Sequence, residues 1–144
     1  MKTLAGKVAI IEGGGGPIGR AVALALAARG ASVVVCGPEE RALGETVGEI
    51  AYGGGKARHV VGDLAAATAR AAEVFGPVDV AIATRADCTL PDVARTVVVA
   101  ATATPAGKTN AVVPGPDVDP DDVAELVAFV CAARMKGRRI ALDT

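Results

Sequence analysis

The chain reads as an α/β protein: a three-layer, doubly wound parallel sheet of about six strands in one domain, residues 1–144. Three observations point there. Short apolar runs alternate with longer segments of helical periodicity. The short runs are continuously apolar, as in strands buried on both faces by helices. The breaks between them carry Gly and Pro at the positions where helices start and stop.

The first strand is the run at 8–11, followed by four glycines and a helix over 17–29. Pro17 suits a first helical turn, and Gly30 stands just past the end. A second strand covers 32–36. Pro38 then opens a second helix, with Leu43, Val47 and Ile50 on one face, ended by Gly53, Gly54 and Gly55. A third strand at 57–61 precedes a third helix at 64–75, closed by Gly76-Pro77, and a fourth strand covers 78–84. Near the other end, Asp119-Pro120-Asp121-Asp122 combines a cap, a first-turn proline and carboxylates at the positive helix end. Val123, Leu126, Val127 and Val130 form that helix's apolar stripe. Arg134, Lys136 and Gly137 close it, and 139–142 is the last strand, flanked by Arg138 and Arg139 as an edge would be.

The stretch 90–113 admits two readings. Thr96-Val97-Val98-Val99 has strong strand propensity, which would make 96–102 and 109–113 an antiparallel hairpin. Parallel neighbours need a crossover of about a dozen residues, so the alternative is a crossover helix over 92–103. The helix keeps the β-α alternation unbroken and is the expectation carried forward. The chain is then shortened after strand four.

Composition narrows the function. Hydrophobic residues make up 51% and charged residues 22%, which excludes a disordered chain. Net charge is −1, so no basic face is available for nucleic acid. Two Phe, one Tyr and no Trp exclude aromatic base-stacking platforms. No uncharged stretch reaches the roughly 18 residues that span a bilayer, and the start reads as a strand, not a signal peptide. Cys36, Cys88 and Cys131 are far apart and join a single histidine, His59, so neither a disulfide framework nor a metal site is expected. A reducing cytoplasm is the default compartment. The abundance of Ala, Gly, Val, Arg and Asp suggests a GC-rich bacterial source. So apolar a chain is expected to form a homo-oligomer, through 90–113 or the last strand.

The chemistry-bearing motif is Glu12-Gly13-Gly14-Gly15-Gly16-Pro17-Ile18-Gly19. Gly14, Gly16 and Gly19 give G-x-G-x-x-G between a strand and a helix. Such glycines turn the chain, let a pyrophosphate approach the backbone, and let helix pack on strand. The helix end offers N–H groups and a positive dipole. The plain alternative is a tight turn with no ligand. Glu12 sets a carboxylate beside the loop. The acidic residue usual about 20 residues on is replaced by Cys36-Gly37-Pro38-Glu39, where Glu39 or Glu40 could reach a ribose and no Arg would hold a 2′-phosphate.

These residues resemble the short-chain dehydrogenase/reductase family, whose fold is Rossmann-like. Leu4-Ala5-Gly6-Lys7-Val8-Ala9-Ile10 is similar to its opening, and 12–21 to its glycine loop, with Glu12 in place of Thr. Gly62-Asp63-Leu64 resembles the segment whose Asp contacts adenine. Asn110-Ala111-Val112-Val113-Pro114-Gly115-Pro116 resembles the strand and loop beside the nicotinamide. Residues 78–80, 121–129 and 140–143 match the fourth strand, late helix and last strand. The resemblance implies NAD or NADP as cofactor, held by Gly14, Gly16, Ile18, Gly19, Asp63 and Leu64.

The middle departs from the family. Its Asn-Asn-Ala-Gly falls on Ala83-Thr84-Arg85-Ala86, its Ser falls near Ala101-Thr102, and its Tyr-x-x-x-Lys is absent from this middle part of the chain. The stretch carrying that pair and the dimer helices is mostly missing, and the single tyrosine is Tyr52. Ligands bind outside the carboxyl ends of parallel strands, where Glu12, Arg85 and Asp87 would share a crevice. There a carboxylate could act as general base and Arg85 could stabilise an oxyanion; the bland alternative is solvated loop residues. Cys88 as a nucleophile lacks a neighbouring His, and a small buried hydrophobe is the expectation for each cysteine. Three functions follow: a non-redox enzyme (enolisation, cyclisation, isomerisation or dehydration of a small molecule), a nucleotide-binding or regulatory module without chemistry, and an oxidoreductase with an unfamiliar proton donor.

Overall fold

The computed structural model describes residues 3–85, 88–93, 95–99, 109–114, 117–133 and 139–142. Seven strands form one sheet, all parallel, in the order β3-β2-β1-β4-β5-β6-β7. They are β1 (Val8–Glu12), β2 (Ser32–Gly37), β3 (Lys56–Val61), β4 (Val80–Ala83), β5 (Arg95–Val99), β6 (Asn110–Pro114) and β7 (Arg139–Leu142). The helices are α1 (Pro17–Ala28), α2 (Glu40–Tyr52), α3 (Leu64–Val74) and α4 (Pro120–Ala132). Among the described residues, no helix is long and apolar enough to cross a membrane.

Continuous apolar strands bury both faces, and the pleat sorts them. Ile11, Val33, Val35, Ile82, Val97, Val99 and Val112 face α1, α2 and α4 in the larger core cluster. Val8, Ile10, Val34, Cys36, Ala81, Ala83, Val98 and Ala111 face the other side, in a smaller cluster with α3. The helix-rich face takes the branched residues; the other, toward β4 and β6, is lined largely with alanine. There Cys88, Leu90 and Val93 pack against the cluster, so residues 88–93 cover sheet that a crossover helix would otherwise cover.

The helix expected over 92–103 is a correction. Residues 95–99 are β5, paired with β4 on one side and β6 on the other. The hairpin reading also fails, because β5 and β6 run parallel: Val97 opposes Asn110 and Val99 opposes Val112. Four successive β-branched residues at 96–99 prefer the strand, and two flanking ladders satisfy their backbone. The strand count therefore rises from about six to seven. The buried Thr96 hydroxyl meets Thr109 Oγ1 at 2.8 Å, tying β5 to β6 with a side-chain hydrogen bond.

Helix ends differ in a way that matters for the site. Asp63 caps α3 by accepting from Ala66 N, and Asp119 caps α4 by accepting from Asp121 N. Gly16 and Glu39 precede α1 and α2 without any side-chain cap bond.

Candidate functional site

All strands are parallel, so their carboxyl ends share one edge. The glycine loop lies on that edge. Gly13 N and Gly14 N donate to Cys36 O at 2.9 and 3.3 Å, fixing the loop against the tip of β2. Gly13 has φ +79°, and a Cβ there would collide with Thr84 Oγ1. A Cβ on Gly19 would fall on the Gly13 carbonyl, so α1 can approach β1 only with glycine at 19. A Cβ on Gly14 would strike Val35, whereas one on Gly16 would meet only Gly13 O, at 3.5 Å. The most tightly constrained glycines are thus 13, 14 and 19, a Cβ on Gly15 would come 2.9 Å from Ala42 Cβ, and Gly16 serves as the α1 cap residue. Gly14 also accepts from the buried Thr46 Oγ1 at 2.7 Å, which anchors the loop to α2.

Two cavities open on this edge. One, of about 240 Å³, lies between the loop and α2 and is lined by Gly13, Gly15, Gly16, Gly37, Pro38 and Glu39 among others. The other, of about 660 Å³, lies toward α3 and includes Glu12, Val61, Asp63, Leu64, Arg85 and Leu90 in its lining. Gly37 and Pro38 line both, so the cavities meet at the tip of β2. The open end of α1 stands beside this junction. Its cap residue, Gly16, makes no side-chain cap bond, and an uncapped helix end is a ready anion site.

Among the residues expected to bind cofactor, Gly16, Asp63 and Leu64 line these cavities. Gly14 and Gly19 shape the loop from below, and the Ile18 side chain packs on the larger core. Glu39 lines the smaller cavity, while Glu40 Oε1 lies 3.8 Å from His59 Nε2. Glu39 is therefore the one of the two acidic residues that lines a cavity beside the loop. Pro38, Val61, Leu90 and Pro91 are lining residues that the sequence reading passed over; they are ordinary apolar residues and carry no local motif.

Glu12 and Arg85 are brought together, with Arg85 Nε 3.5 Å from Glu12 Oε2. Glu12 is 8% exposed, and its Oε1 accepts from Thr84 N at 3.0 Å and Thr84 Oγ1 at 3.1 Å. The carboxylate is thus spent in joining the end of β1 to the residue after β4. Thr84 N, Thr84 Oγ1 and Arg85 thus already occupy the carboxylate. Its charge is also balanced locally by Arg85, so it opposes a phosphate at the loop less than the sequence alone suggests. Asp87, the third expected catalytic residue, lies outside the described residues.

The cysteines behave as small hydrophobes. Burial pushes the Cys36 thiol up to about 12, with the Glu12 carboxylate adding to it. Burial likewise raises Cys131 to about 12. Cys88 is held above its ordinary value by burial, although Arg85 Nη2 donates to its sulfur at 3.6 Å and pulls the other way. A thiol needs the thiolate to act as nucleophile. Tyr52 is 95% exposed at the end of α2, on the edge of the sheet opposite the loop. Among the described residues, no group of His, Cys, Asp and Glu could hold a metal ion.

A parallel sheet with flanking helices and a glycine loop at its carboxyl edge defines a Rossmann-like α/β domain. Residues 7–87 match the short chain dehydrogenase family, and the chain belongs to it. It is 45% identical over 64 residues to the hydroxynaphthalene reductase-like protein Arp2 of Metarhizium guizhouense, covering 44% of this chain and 24% of that protein. The same protein of Metarhizium anisopliae is 44% identical over the same length. The match thus spans about a quarter of these curated relatives. Among solved structures, a short-chain dehydrogenase/reductase from Serratia marcescens superposes with TM-score 0.80 at 18% identity, covering 98% of each chain. A hydroxysteroid dehydrogenase from Escherichia coli gives 0.79 at 20%, covering 97% of this chain and 96% of that one. A short chain dehydrogenase from Burkholderia cenocepacia in complex with NADP gives 0.79 at 23%, covering 98% of each. At these identities the likeness is one of fold.

Proposed function

We propose that this chain is a nicotinamide-dinucleotide-binding domain that holds the adenosine diphosphate half of the cofactor and prefers NAD to NADP. The observation that carries the reading is the pair of cavities meeting at Gly37 and Pro38, beside the uncapped end of α1. The pyrophosphate suits the loop from Gly13 to Gly16 and the first turn of α1. The adenosine ribose suits Glu39, whose carboxylate accepts from a 2′-hydroxyl and repels a 2′-phosphate. Asp63 and Leu64 border the space for the base.

When bound, the nicotinamide supplies hydride chemistry; this chain supplies binding and orientation. Proton transfer in the family's manner needs a Tyr/Lys pair, and the single tyrosine lies at the far edge. That favours binding without turnover over ketone reduction. A non-redox role for Glu12 is the weaker reading, because its carboxylate already has three donors.

Calorimetric titration tests this. NAD is expected to bind about five- to tenfold tighter than NADP, the size of one exposed charge repulsion. Glu39→Gln should close most of that gap. Absence of binding by both at millimolar concentration rejects the reading.

A further inference from the structure

The edge of the sheet opposite the glycine loop holds a cavity of its own. Its volume is about 400 Å³, and it lies where α1 runs into β2 and α2 runs into β3. Leu24, Ala27 and Ile50 line it with aliphatic groups, and Glu49 and Lys56 add one charge of each sign. The turn from α2 to β3, Gly53-Gly54-Gly55, borders it without side chains. Gly54 has φ +87°, where a side chain is strained, and a Cβ there would meet no atom within 4 Å. The space beside the turn is thus left open by the backbone itself. Tyr52 directly precedes this turn and is 95% exposed. Its ring leaves most of about 150–250 Å² of surface in water. The α2 positions around it, Gly48 and Ala51, are small and exposed, so a second surface can approach the ring closely. A knob and a hole side by side on one patch are self-complementary: a two-fold axis between them sets each ring over the other copy's cavity.

We propose that two copies of this chain associate through this patch, each Tyr52 ring entering the cavity between α1 and α2 of the other copy. The ring then packs on Leu24, Ala27 and Ile50, an apolar body on an apolar floor. Its O–H is a donor, and it arrives at the carboxyl end of α2, a negative helix end with no basic residue in its last turn. The same axis turns Lys56 of one copy toward the partner's Glu49, so the rim charges attract. The patch lies on the edge away from the glycine loop, so the association does not depend on nucleotide binding.

With one tyrosine and no tryptophan, the intrinsic fluorescence of the full chain reports on Tyr52 alone. Sedimentation velocity from about 1 to about 200 μM is expected to show a reversible monomer–dimer equilibrium, as a small interface gives. Iodide quenching of the tyrosine emission should fall as the dimer forms. Tyr52→Ala should weaken association about tenfold or more, because each dimer loses the ring twice. Ala28→Leu fills the hole from an exposed helical position and should weaken association about as much. A chain that stays monomeric throughout the range overturns the proposal and leaves the cavity to another occupant. A dimer that keeps its affinity in either variant, or whose tyrosine is quenched equally at all concentrations, overturns it and places the interface elsewhere. Both substituted side chains stand in solvent, and circular dichroism checks that the variants fold. Should either unfold, Lys56→Glu decides: it sets like charge against the partner's Glu49 and should weaken association about threefold or more.

Discussion

From β1 to β4, each crossover contains a helix that packs one face on the sheet: α1, α2, then α3. From β4 to β6, the crossovers are residues 84–94 and 100–109, and the described residues among them are not helical. The first half therefore closes its sheet with helices and builds the glycine loop between two of them. Among the described residues, the second half closes part of its sheet with Cys88, Leu90 and Val93, against a face of small residues, Ala81, Ala83 and Ala111. A helix needs several turns of amphipathic sequence to bury a face; a short segment with three apolar side chains suffices where the sheet itself is smooth. The glycine loop itself is built by β1, β2, α1 and α2, while the segment after β4 adds Arg85, Leu90 and Pro91 to the lining of the larger cavity.

The contrast can be broken most sharply at the loop. Gly19→Ala puts a methyl on the Gly13 carbonyl and is expected to cost about 3 kcal/mol or more, read as a collapse of the urea midpoint. Gly16→Ala, with only a 3.5 Å contact, should stay within about 0.5 kcal/mol. Equal losses in the two would refute the assignment of the constrained glycines to 13, 14 and 19.

The seam between the halves is Glu12 with Thr84 and Arg85. Glu12→Gln replaces a carboxylate that accepts two hydrogen bonds and pairs with Arg85. A loss of about 1–3 kcal/mol is expected in chemical denaturation. A neutral result would show that the pair leaves the anchoring of β4 unchanged.

Within the second half, Thr96→Val removes the bond to Thr109 and should cost about 1 kcal/mol. The loss is expected to fall on amide protection of β5 and β6, with β1 to β3 unchanged. Uniform loss of protection would mean that the halves unfold as one unit.

The smallest effect is chemical. In the folded protein at pH 8, Cys36 and Cys131 should resist a thiol reagent, and Cys88, half-exposed, should react first and slowly. All three should react at once in denaturant. The sign of the pH dependence follows from the raised thiols. The folded state keeps protons that the unfolded state releases above about pH 9, so stability falls as pH rises through that range.

Much of the fold was legible in the residues themselves. Pro17 and Asp119 mark helix starts and Gly30 and Gly76 mark helix stops by local backbone chemistry: α1 and α4 begin where marked, and α1 and α3 end two residues before their glycines. The run Thr96-Val97-Val98-Val99 was legible as strand propensity but was outweighed by a rule about crossover length. That rule reflects the usual helix between parallel strands, not a limit on chain reach. The candidate site was legible where a motif carried it, at Gly13 to Gly19 and at Gly62-Asp63-Leu64. It was not legible at Pro38, Val61, Leu90 and Pro91, which meet only because β3 and the segment after β4 share an edge.

The sequence by itself determined the doubly wound class, the position of the glycine loop and the place of the single tyrosine, Tyr52, with Lys56 four residues on, before the third strand. These depend on neighbours within a few residues, or on composition. Tertiary structure alone decided that residues 95–99 join the sheet, that Glu12 is held by Thr84 and Arg85, and that Glu39, not Glu40, faces the cavity. Each depends on contacts between residues far apart in the chain, or on which way one side chain turns. Local propensity carries no information about either.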